Sequence, residues 1–272
     1  MIPNSGRTAR VVAAALLAVV AWSLPVAEAQ SGRADQTKKY VQPGSLRPEF
    51  QVALEHFGSR LSVPGREALL LVGTIAHDGG AKAPFQASME APDKVRFEEG
   101  SPGSATLSGF DGTQHWSNKA SVVRADEALL ETVLFNSFER LLFRQQAGQA
   151  TRKIGSRFRV DGGASGAAYT GPVYDIYAVY DDLPGNGKSR QTWKWYYLNS
   201  NTLLLERIEY QGADGTTTTT LLEQWTQFGG DWVPRSIRRI ENGKEVLRIE
   251  VAAASSAAIQ PASFYSNAAG KP

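Results

Sequence analysis

Residues 85–100 read FQASMEAPDKVRFEEG and contain the pattern that decides the fold. Apolar and polar residues alternate on both sides of a central Pro-Asp pair, and the apolar members of the alternation are Phe85, Ala87, Met89, Val95 and Phe97. Alternation with a period of two is typical of a β-strand that is buried on one face. Proline and aspartate between two such runs favour a tight turn. The stretch therefore predicts two antiparallel strands that share an apolar face.

The same pattern continues outward in both directions along the chain. Alternating or short apolar runs are separated by turns rich in glycine, asparagine and aspartate, which connect neighbouring antiparallel strands. The predicted strands are residues 68–76, 85–89, 95–97, 105–109, 113–117, 173–181, 191–198, 202–210, 216–228, 231–240 and 245–252. This makes about eleven strands, with at most one more short strand near residues 157–160.

Two segments have helical periodicity instead. In the segment that begins at Pro48, apolar residues recur three and four positions apart, at Phe50, Leu54, Phe57 and Leu61. The segment Arg124–Ala147 carries a broader apolar stripe, which includes Leu129, Val133, Phe138 and Leu141. This spacing predicts two helices, the second of them in the middle of the strand series. The fold expected is a single α+β domain built on a large, strongly curved antiparallel sheet.

The first 29 residues predict export from the cytoplasm. Arg7 and Arg10 precede an apolar run at residues 11–22, and Ala27-Glu28-Ala29 places small residues where a signal peptidase cleaves. The run is roughly a dozen residues long, which favours a cleaved signal over a membrane anchor. We expect a signal peptide at residues 1–29, a flexible leader at 30–47, a domain at 48–267 and a periplasmic mature protein.

Composition and charge exclude several functional classes. The chain has 29 Lys and Arg against 27 Asp and Glu, a formal net charge of +2, which is too small for an electrostatic nucleic-acid binder. It has no cysteine, so neither disulfides nor an N-terminal lipid anchor are expected. No later run is apolar and long enough to span a membrane. We expect a monomer without a stable membrane span.

The chemistry needed for catalysis is sparse. The three histidines lie far apart in sequence and in unlike contexts, at His56, His77 and His115. No metal-ligand spacing is present, so we expect neither a metal site nor a cofactor. Residues 185–189, GNGKS, resemble the end of a phosphate-binding loop, but they lack its earlier glycine and join two strands. We interpret the paired carboxylates as solvated charges at strand ends: Glu98, Glu99, Asp181 and Asp182. No catalytic residue and no enzymatic activity are therefore expected.

Apolar side chains are numerous enough to make the concave face of such a sheet broadly hydrophobic. The residues that we assign to this face and to the helix opposite are Met89, Phe97, Leu107, Phe135, Phe138, Leu142, Trp193, Trp195, Tyr197 and Leu205. Either the helix Arg124–Ala147 fills the face and forms an ordinary core, or it leaves an apolar cavity. The residues alone favour the filled core.

Several motifs resemble one known family. The strand-turn-strand stretch 85–100, Phe110-Asp111-Gly112 followed by Trp116, the hairpin 197–210, Trp232-Val233-Pro234 with Ile237, and the closing Ser263-Phe264 are similar to signatures of the periplasmic lipoprotein carriers, the LolA/LolB-like outer-membrane lipoprotein-sorting superfamily. The resemblance covers most of residues 68–264. Two features depart from the family pattern, namely Asn199 in place of a frequent aspartate and the glycine-rich stretch 148–168.

The resemblance implies an open half-barrel in which helices form a lid over an apolar cavity for acyl chains. It implies a soluble carrier or binding protein whose cargo is a lipid or an acylated protein, with a possible inner-membrane donor and outer-membrane acceptor. With the resemblance counted, the cavity becomes the favoured alternative. A non-enzymatic envelope sensor or interaction domain of the same fold, with a filled core, is the competing hypothesis.

The export signal makes a direct prediction. We expect the mature protein to begin within a residue or two of Gln30, because the apolar run ends in the Ala-Glu-Ala cleavage pattern. N-terminal sequencing of protein from the periplasmic fraction measures this. Membrane-bound protein that retains Met1 would contradict the prediction.

Overall fold

The computed structural model describes residues 67–90, 92–119, 121–141, 151–160, 171–183, 190–212, 214–228 and 231–266. All of these belong to one compact unit of the chain, Arg33–Pro272. The predicted signal peptide, leader and first helix precede residue 67 and lie outside the described residues, as does Leu142.

The described residues form one open antiparallel sheet of twelve strands. The strands are β1 (Glu67–His77), β2 (Ala83–Glu90), β3 (Lys94–Glu99), β4 (Thr106–Asp111), β5 (His115–Ser117), β6 (Thr151–Phe158), β7 (Tyr174–Leu183), β8 (Arg190–Asn199), β9 (Leu205–Gln211), β10 (Thr217–Phe228), β11 (Asp231–Glu241) and β12 (Lys244–Ala258). Their order is β5-β4-β3-β2-β1-β12-β11-β10-β9-β8-β7-β6, so β5 and β6 are the two edges. The prediction of one large antiparallel sheet is confirmed.

The sheet consists of two meanders that meet at β1 and β12. Glu67 lies opposite Ala258, and His77 lies opposite Leu247. The first meander ends at β5 and the second begins at β6, which is the opposite edge of the sheet. The chain between β5 and β6 must therefore cross the whole sheet. We call the described part of this connection, residues 121–141, the crossing segment.

Contacts of one aromatic ring demonstrate that the sheet is strongly curved. The ring of Phe135 lies 5.7 Å from the ring of Phe110 on β4 and 5.9 Å from Nζ of Lys194 on β8. These two strands are eight positions apart in the sheet, which in a flat sheet would separate them by about 38 Å. Only a sheet that curls toward itself brings both within reach of one side chain, as in a half-barrel.

The crossing segment is helical but interrupted. It contains helix α1 (Arg124–Leu130), a π-helical turn (Glu131–Phe135) and a further helical stretch at residues 138–141. The prediction of one continuous helix over Arg124–Ala147 is thus wrong within the described residues, since the helix is broken at residues 136 and 137.

Two side chains explain the break. The amide of Asn136 donates to Oγ1 of Thr220 at 2.9 Å, and its backbone adopts φ −109° and ψ 23°. Oγ of Ser137 accepts a hydrogen bond from the backbone N–H of Arg140 at 3.1 Å, which caps the following turn. Asparagine and serine thus direct their hydrogen bonds away from a continuous helix.

Strand β6 is longer than the short strand expected at residues 157–160, and it begins six residues before it, at Thr151. Six of its eight residues are exposed, so it lacks the apolar alternation that marks a half-buried strand. Its conformation is set by backbone pairing with β7. A short 3₁₀-helix, Ala262–Tyr265, was also not expected; it holds Tyr265 close to Trp116, whose indole N–H donates to the Tyr265 carbonyl.

The pairing of β1 with β12 generates a stability prediction. At the register shift after Val72, a Cβ on Gly73 would lie 1.9 Å from the backbone oxygen of Glu250. We expect Gly73→Ala to lower the free energy of unfolding by about 3 kcal/mol, because the backbone must move to relieve the overlap. Urea denaturation followed by circular dichroism measures this.

The matched control is Gly79→Ala, where φ is +73° and no atom lies within 4 Å of the added Cβ. We expect that substitution to lower the free energy of unfolding by only about 1 kcal/mol, which is the strain of an alanine in the left-handed conformation. Equal losses for the two variants would contradict the steric argument.

Candidate ligand-binding site on the inner face of the sheet

The inner face of the sheet, against which the crossing segment packs, is apolar over β1, β2, β3 and β12. Period-two alternation directs the apolar side of each strand to this face, and antiparallel pairing keeps opposed residues on the same side. The buried residues of this region are Leu69, Leu71, Ile75, Phe85, Ala87, Met89, Val95, Phe97, Leu247, Ile249 and Val251.

Where β7 to β11 cross it, the same face also carries buried polar and charged side chains among its apolar residues. Register places Lys194 on β8 opposite Tyr210 on β9, and Thr220 on β10 opposite Arg239 on β11. Asp181 on β7 completes the set, and all five residues are almost completely buried. Buried charges require partners, and the crossing segment supplies several of them.

One group of polar contacts centres on Arg239. Its guanidinium contacts the carboxylate of Glu131 in the π-helical turn at 2.6 Å. The Tyr210 hydroxyl donates to the same carboxylate at 2.7 Å, and Arg239 Nη1 lies 2.9 Å from that hydroxyl oxygen. Arg239 also contacts Glu241 at 2.7 Å. Two strands are thereby connected to the crossing segment through one buried carboxylate.

A second group centres on Lys194, which is fully buried. Its ammonium donates to the backbone oxygen of Phe135 at 2.8 Å and to Oδ1 of Asn136 at 3.0 Å. The Asp181 carboxylate lies 3.1 Å from the ammonium, and Arg140 approaches the same carboxylate at 3.4 Å. The break in the crossing segment is thus the point where it binds β8.

Burial and charge act in opposition on these groups. Burial raises the pKa of Glu131, but Arg239, the Tyr210 hydroxyl and Arg124 outweigh it, and the pKa falls below the ordinary value of 4.5. Burial lowers the pKa of the Lys194 ammonium, and the charge of Asp181 opposes that shift without cancelling it. Burial and the Glu131 charge raise the pKa of Tyr210, which keeps its hydroxyl a donor. Glu131 is therefore ionised at neutral pH, and Asp181 is the main group that favours a charged Lys194.

Between the crossing segment and apolar residues of the inner face lies a pocket with a volume of about 60 Å³. Strands β1, β2, β10 and β11 form its floor, and the crossing segment forms its roof. Its lining residues are Leu69, Leu71, Met89, Thr132, Val133, Asn136, Ser137, Phe138, Glu139, Leu222, Trp225, Trp232, Val233, Pro234 and Ile237. Mainly apolar walls with a few polar groups are typical of sites for apolar ligands.

Half of the predicted lining residues lie on the inner side of the sheet. Met89 and Phe138 line the pocket. Phe97, Phe135 and Leu205 are buried in the main core without lining the pocket. Whether any of them binds a ligand remains a prediction.

Leu107 and the three aromatic residues of β8 are not on the inner face, which corrects their assignment. Trp193 and Trp195 are 41% and 46% exposed, whereas Lys194 between them is fully buried inside. The predicted alternation along β8 is right, but the side that faces the core is the opposite one. Lys194 can be buried on that side because it forms an ion pair with Asp181. Tyr197 belongs to a separate cluster with Tyr174 and Ile176.

The Leu107 correction has the same geometric basis. Neighbouring Ser108 lies opposite the inner-face residue Phe97, so Leu107 points to the other side and is only partly buried. The interpretation of Asp181 as a solvated charge is also wrong, since its side chain is fully buried.

Sequence reasoning missed the buried polar residues of the inner face and most of the pocket floor. The missed residues include Glu131, Asp181, Lys194, Arg239, Leu222, Trp225, Trp232 and Val233. The sequence of β8 contains one indication of the true orientation. Lys194, Tyr196 and Leu198 alternate in phase, so they lie on the same face of the strand. Within the described residues, no group of three or more potential ligands could hold a metal ion. The helices of that part of the chain also include none with the length and hydropathy of a membrane span.

The sheet and its crossing segment define a LolA-like half-barrel. Among solved structures, the chain is similar to a LolA superfamily protein from Nitrosomonas europaea, with a TM-score of 0.52 and 13% identity over 79% of this chain and 96% of that one. A putative outer membrane lipoprotein-sorting protein domain from Vibrio parahaemolyticus gives 0.46 and 7% over 81% and 97%. A DUF1329 family protein from Desulfovibrio piger gives 0.44 and 12% over 82% and 98%.

These comparisons assign the fold and nothing more specific. The Nitrosomonas protein confirms the LolA-like fold that the sequence motifs predict. No protein-family profile matches the sequence, and no curated protein matches it in sequence.

The Lys194 group generates a second stability prediction. Lys194→Met leaves the Asp181 carboxylate buried with Arg140 and removes the donor to two acceptors of the crossing segment. We expect the free energy of unfolding to fall by about 3 to 5 kcal/mol. The matched double variant, Lys194→Met with Asp181→Leu, should recover about 2 kcal/mol of the lost free energy of unfolding. The second substitution removes the buried carboxylate that the first leaves without the Lys194 ammonium. A single variant as stable as the wild type in urea would refute this account.

Proposed function

We propose that this protein is a non-enzymatic periplasmic carrier or binding protein that holds acyl chains of lipids or acylated proteins on the inner face of its sheet. The observation that carries the proposal is the apolar pocket enclosed by Met89, Val233 and Phe138. The resemblance to the lipoprotein carriers adds support, because helices form a lid over an acyl-binding cavity in that family. The N-terminal export pattern supports the periplasmic location. An inner-membrane donor and an outer-membrane acceptor would complete the cycle.

In this proposal the crossing segment is the lid. A pocket of about 60 Å³ is far below the 300–1,000 Å³ of typical ligand sites. Uptake of an acyl chain therefore requires the segment to move away from the sheet. The interruption at residues 136 and 137 supplies a place where the segment can bend without breaking a continuous helix.

The energies involved are of comparable size. Burying about a dozen methylene groups releases about 10 kcal/mol. Separating a buried ion pair costs about 3 to 5 kcal/mol, and the lid makes two such contacts, through Glu131 and through Arg140. Cargo can thus offset the cost of opening, while the empty protein stays closed and keeps its apolar face out of water.

One observation favours the competing function of an interaction domain with a filled core. Phe135 and Phe138 are each 4% exposed, so most of the inner face is already occupied. In that case no ligand enters, and the lid is a permanent part of the core. Ligand uptake distinguishes the two functions.

Filling the pocket tests the carrier function. Val233→Phe adds bulk to the pocket floor, and we expect it to weaken binding of a fluorescent fatty acid by at least about tenfold, because the acyl chain loses its room. Fluorescence titration of purified protein measures this, and native mass spectrometry of the wild type detects lipid that co-purifies.

The matched control is Val72→Phe, which makes the same change at a site on β1 that is 40% exposed and does not line the pocket. Its affinity should stay close to that of the wild type. Wild-type protein that takes up no fatty acid and carries no lipid would overturn the carrier function in favour of the interaction domain.

A further inference from the structure

The outer surface at the β6 edge of the sheet combines exposed apolar and cationic side chains. The structure describes seven large apolar side chains as exposed, and four of them lie on β6 and β8: Ile154, Phe158, Trp193 and Trp195. Scattered exposed apolar residues need no explanation, but a cluster of them marks an interaction site.

Strand register places much of this cluster on one face. Trp195 on β8, Ala178 on β7 and Arg152 on β6 are directly opposed, and Trp193 is opposite Tyr180. The rings of Trp193 and Tyr180 lie 5.3 Å apart. Phe158 shares this outer face, since it pairs with Tyr174, which alternates in phase with Ala178. We call this surface the aromatic edge.

Cationic side chains predominate on strand β6 of the aromatic edge. Residues 151–160 include four exposed cations and no acidic residue: Arg152, Lys153, Arg157 and Arg159. Arg152 lies on the outer face, whereas Lys153 lies opposite the core residue Tyr177 and points to the other side. Asp175 offsets one of them, through a 3.4 Å contact with Lys153. Opposite Trp195, the Glu209 carboxylate is paired with Arg207 and with the Tyr197 hydroxyl.

We propose that the aromatic edge docks this protein on an anionic phospholipid bilayer. Tryptophan is favoured at the boundary between headgroups and acyl chains, because its ring is apolar and its N–H is polar. Lysine and arginine near a negatively charged leaflet add attraction that salt screens. Cations on an edge strand also discourage pairing with another strand, but that role does not require two exposed tryptophans on β8.

Docking is independent of the acyl pocket. The aromatic edge lies on the outer face of β6 to β8, whereas the pocket lies on the inner face between β1, β2, β10 and β11. Val233→Phe should therefore leave vesicle binding unchanged. Failure of the carrier function and failure of docking are thus separate outcomes.

Flotation with lipid vesicles tests the proposal. We expect the full mature protein to bind vesicles that contain phosphatidylglycerol, to bind pure phosphatidylcholine vesicles far more weakly, and to lose binding at high salt. Arg152→Glu with Arg157→Glu should reduce partitioning by at least about tenfold. Trp193→Ala with Trp195→Ala should also reduce it by about tenfold, since these rings supply the apolar contact.

The matched control is Lys82→Glu with Arg235→Glu, which changes the net charge equally at two exposed positions away from the aromatic edge, one in the turn before β2 and one on β11. Its partitioning should stay within about twofold of the wild type, because distant charges are screened. The proposal would be overturned if the wild-type protein does not bind anionic vesicles, or if the control variant loses as much binding as the variants of the aromatic edge. A concentration-dependent dimer that the edge substitutions abolish in the absence of vesicle binding would also overturn it, since the edge would then be an interface between two copies.

Discussion

An open sheet has two edges, and the chain that leaves one edge must return at the other. This constraint determines the organisation of the molecule. β5 ends the first meander at one edge and β6 begins the second at the opposite edge, so the connection has to traverse the sheet. Because the sheet is curved, the shortest path lies along its inner face, where residues 121–141 contact both β4 and β8 through Phe135. The connectivity of this strand order thus places the crossing segment against the inner face.

The inner face contacts the crossing segment through two kinds of surface. Over β1, β2, β3 and β12 it offers apolar surface, which attracts the segment without directional preference. Over β7 to β11 it also offers Arg239, Lys194 and Asp181, which contact polar groups of the segment. Apolar contact supplies most of the stabilisation, and the ion pairs fix the position. The pocket spans both regions, with β1 and β2 on one side and β10 and β11 on the other, and it lies next to the interruption of the segment.

Much of the fold could be predicted from the sequence, because alternation and turn residues report directly on strands such as those in residues 85–100. Strand β6 could be predicted only in part, since its exposed side chains leave no periodic pattern and backbone pairing alone defines it. The residues of the candidate site were harder to predict than the strands. Alternation on β8 separates Trp193 and Trp195 from Lys194, but it does not say which side is inside. That choice depended on Asp181, a partner from another strand that only the three-dimensional structure brings within 3.1 Å.

The central pairing of β1 with β12 also determines when the molecule can fold. Glu67 lies opposite Ala258, so the middle of the sheet cannot form until two segments that are far apart in sequence are both available. Contacts between such distant residues make folding slow. Slow folding would suit the export that the N-terminal sequence predicts, because a polypeptide that has not yet folded remains extended during translocation. The pairing of β1 with β12 thus makes formation of the centre of the sheet a late event in folding.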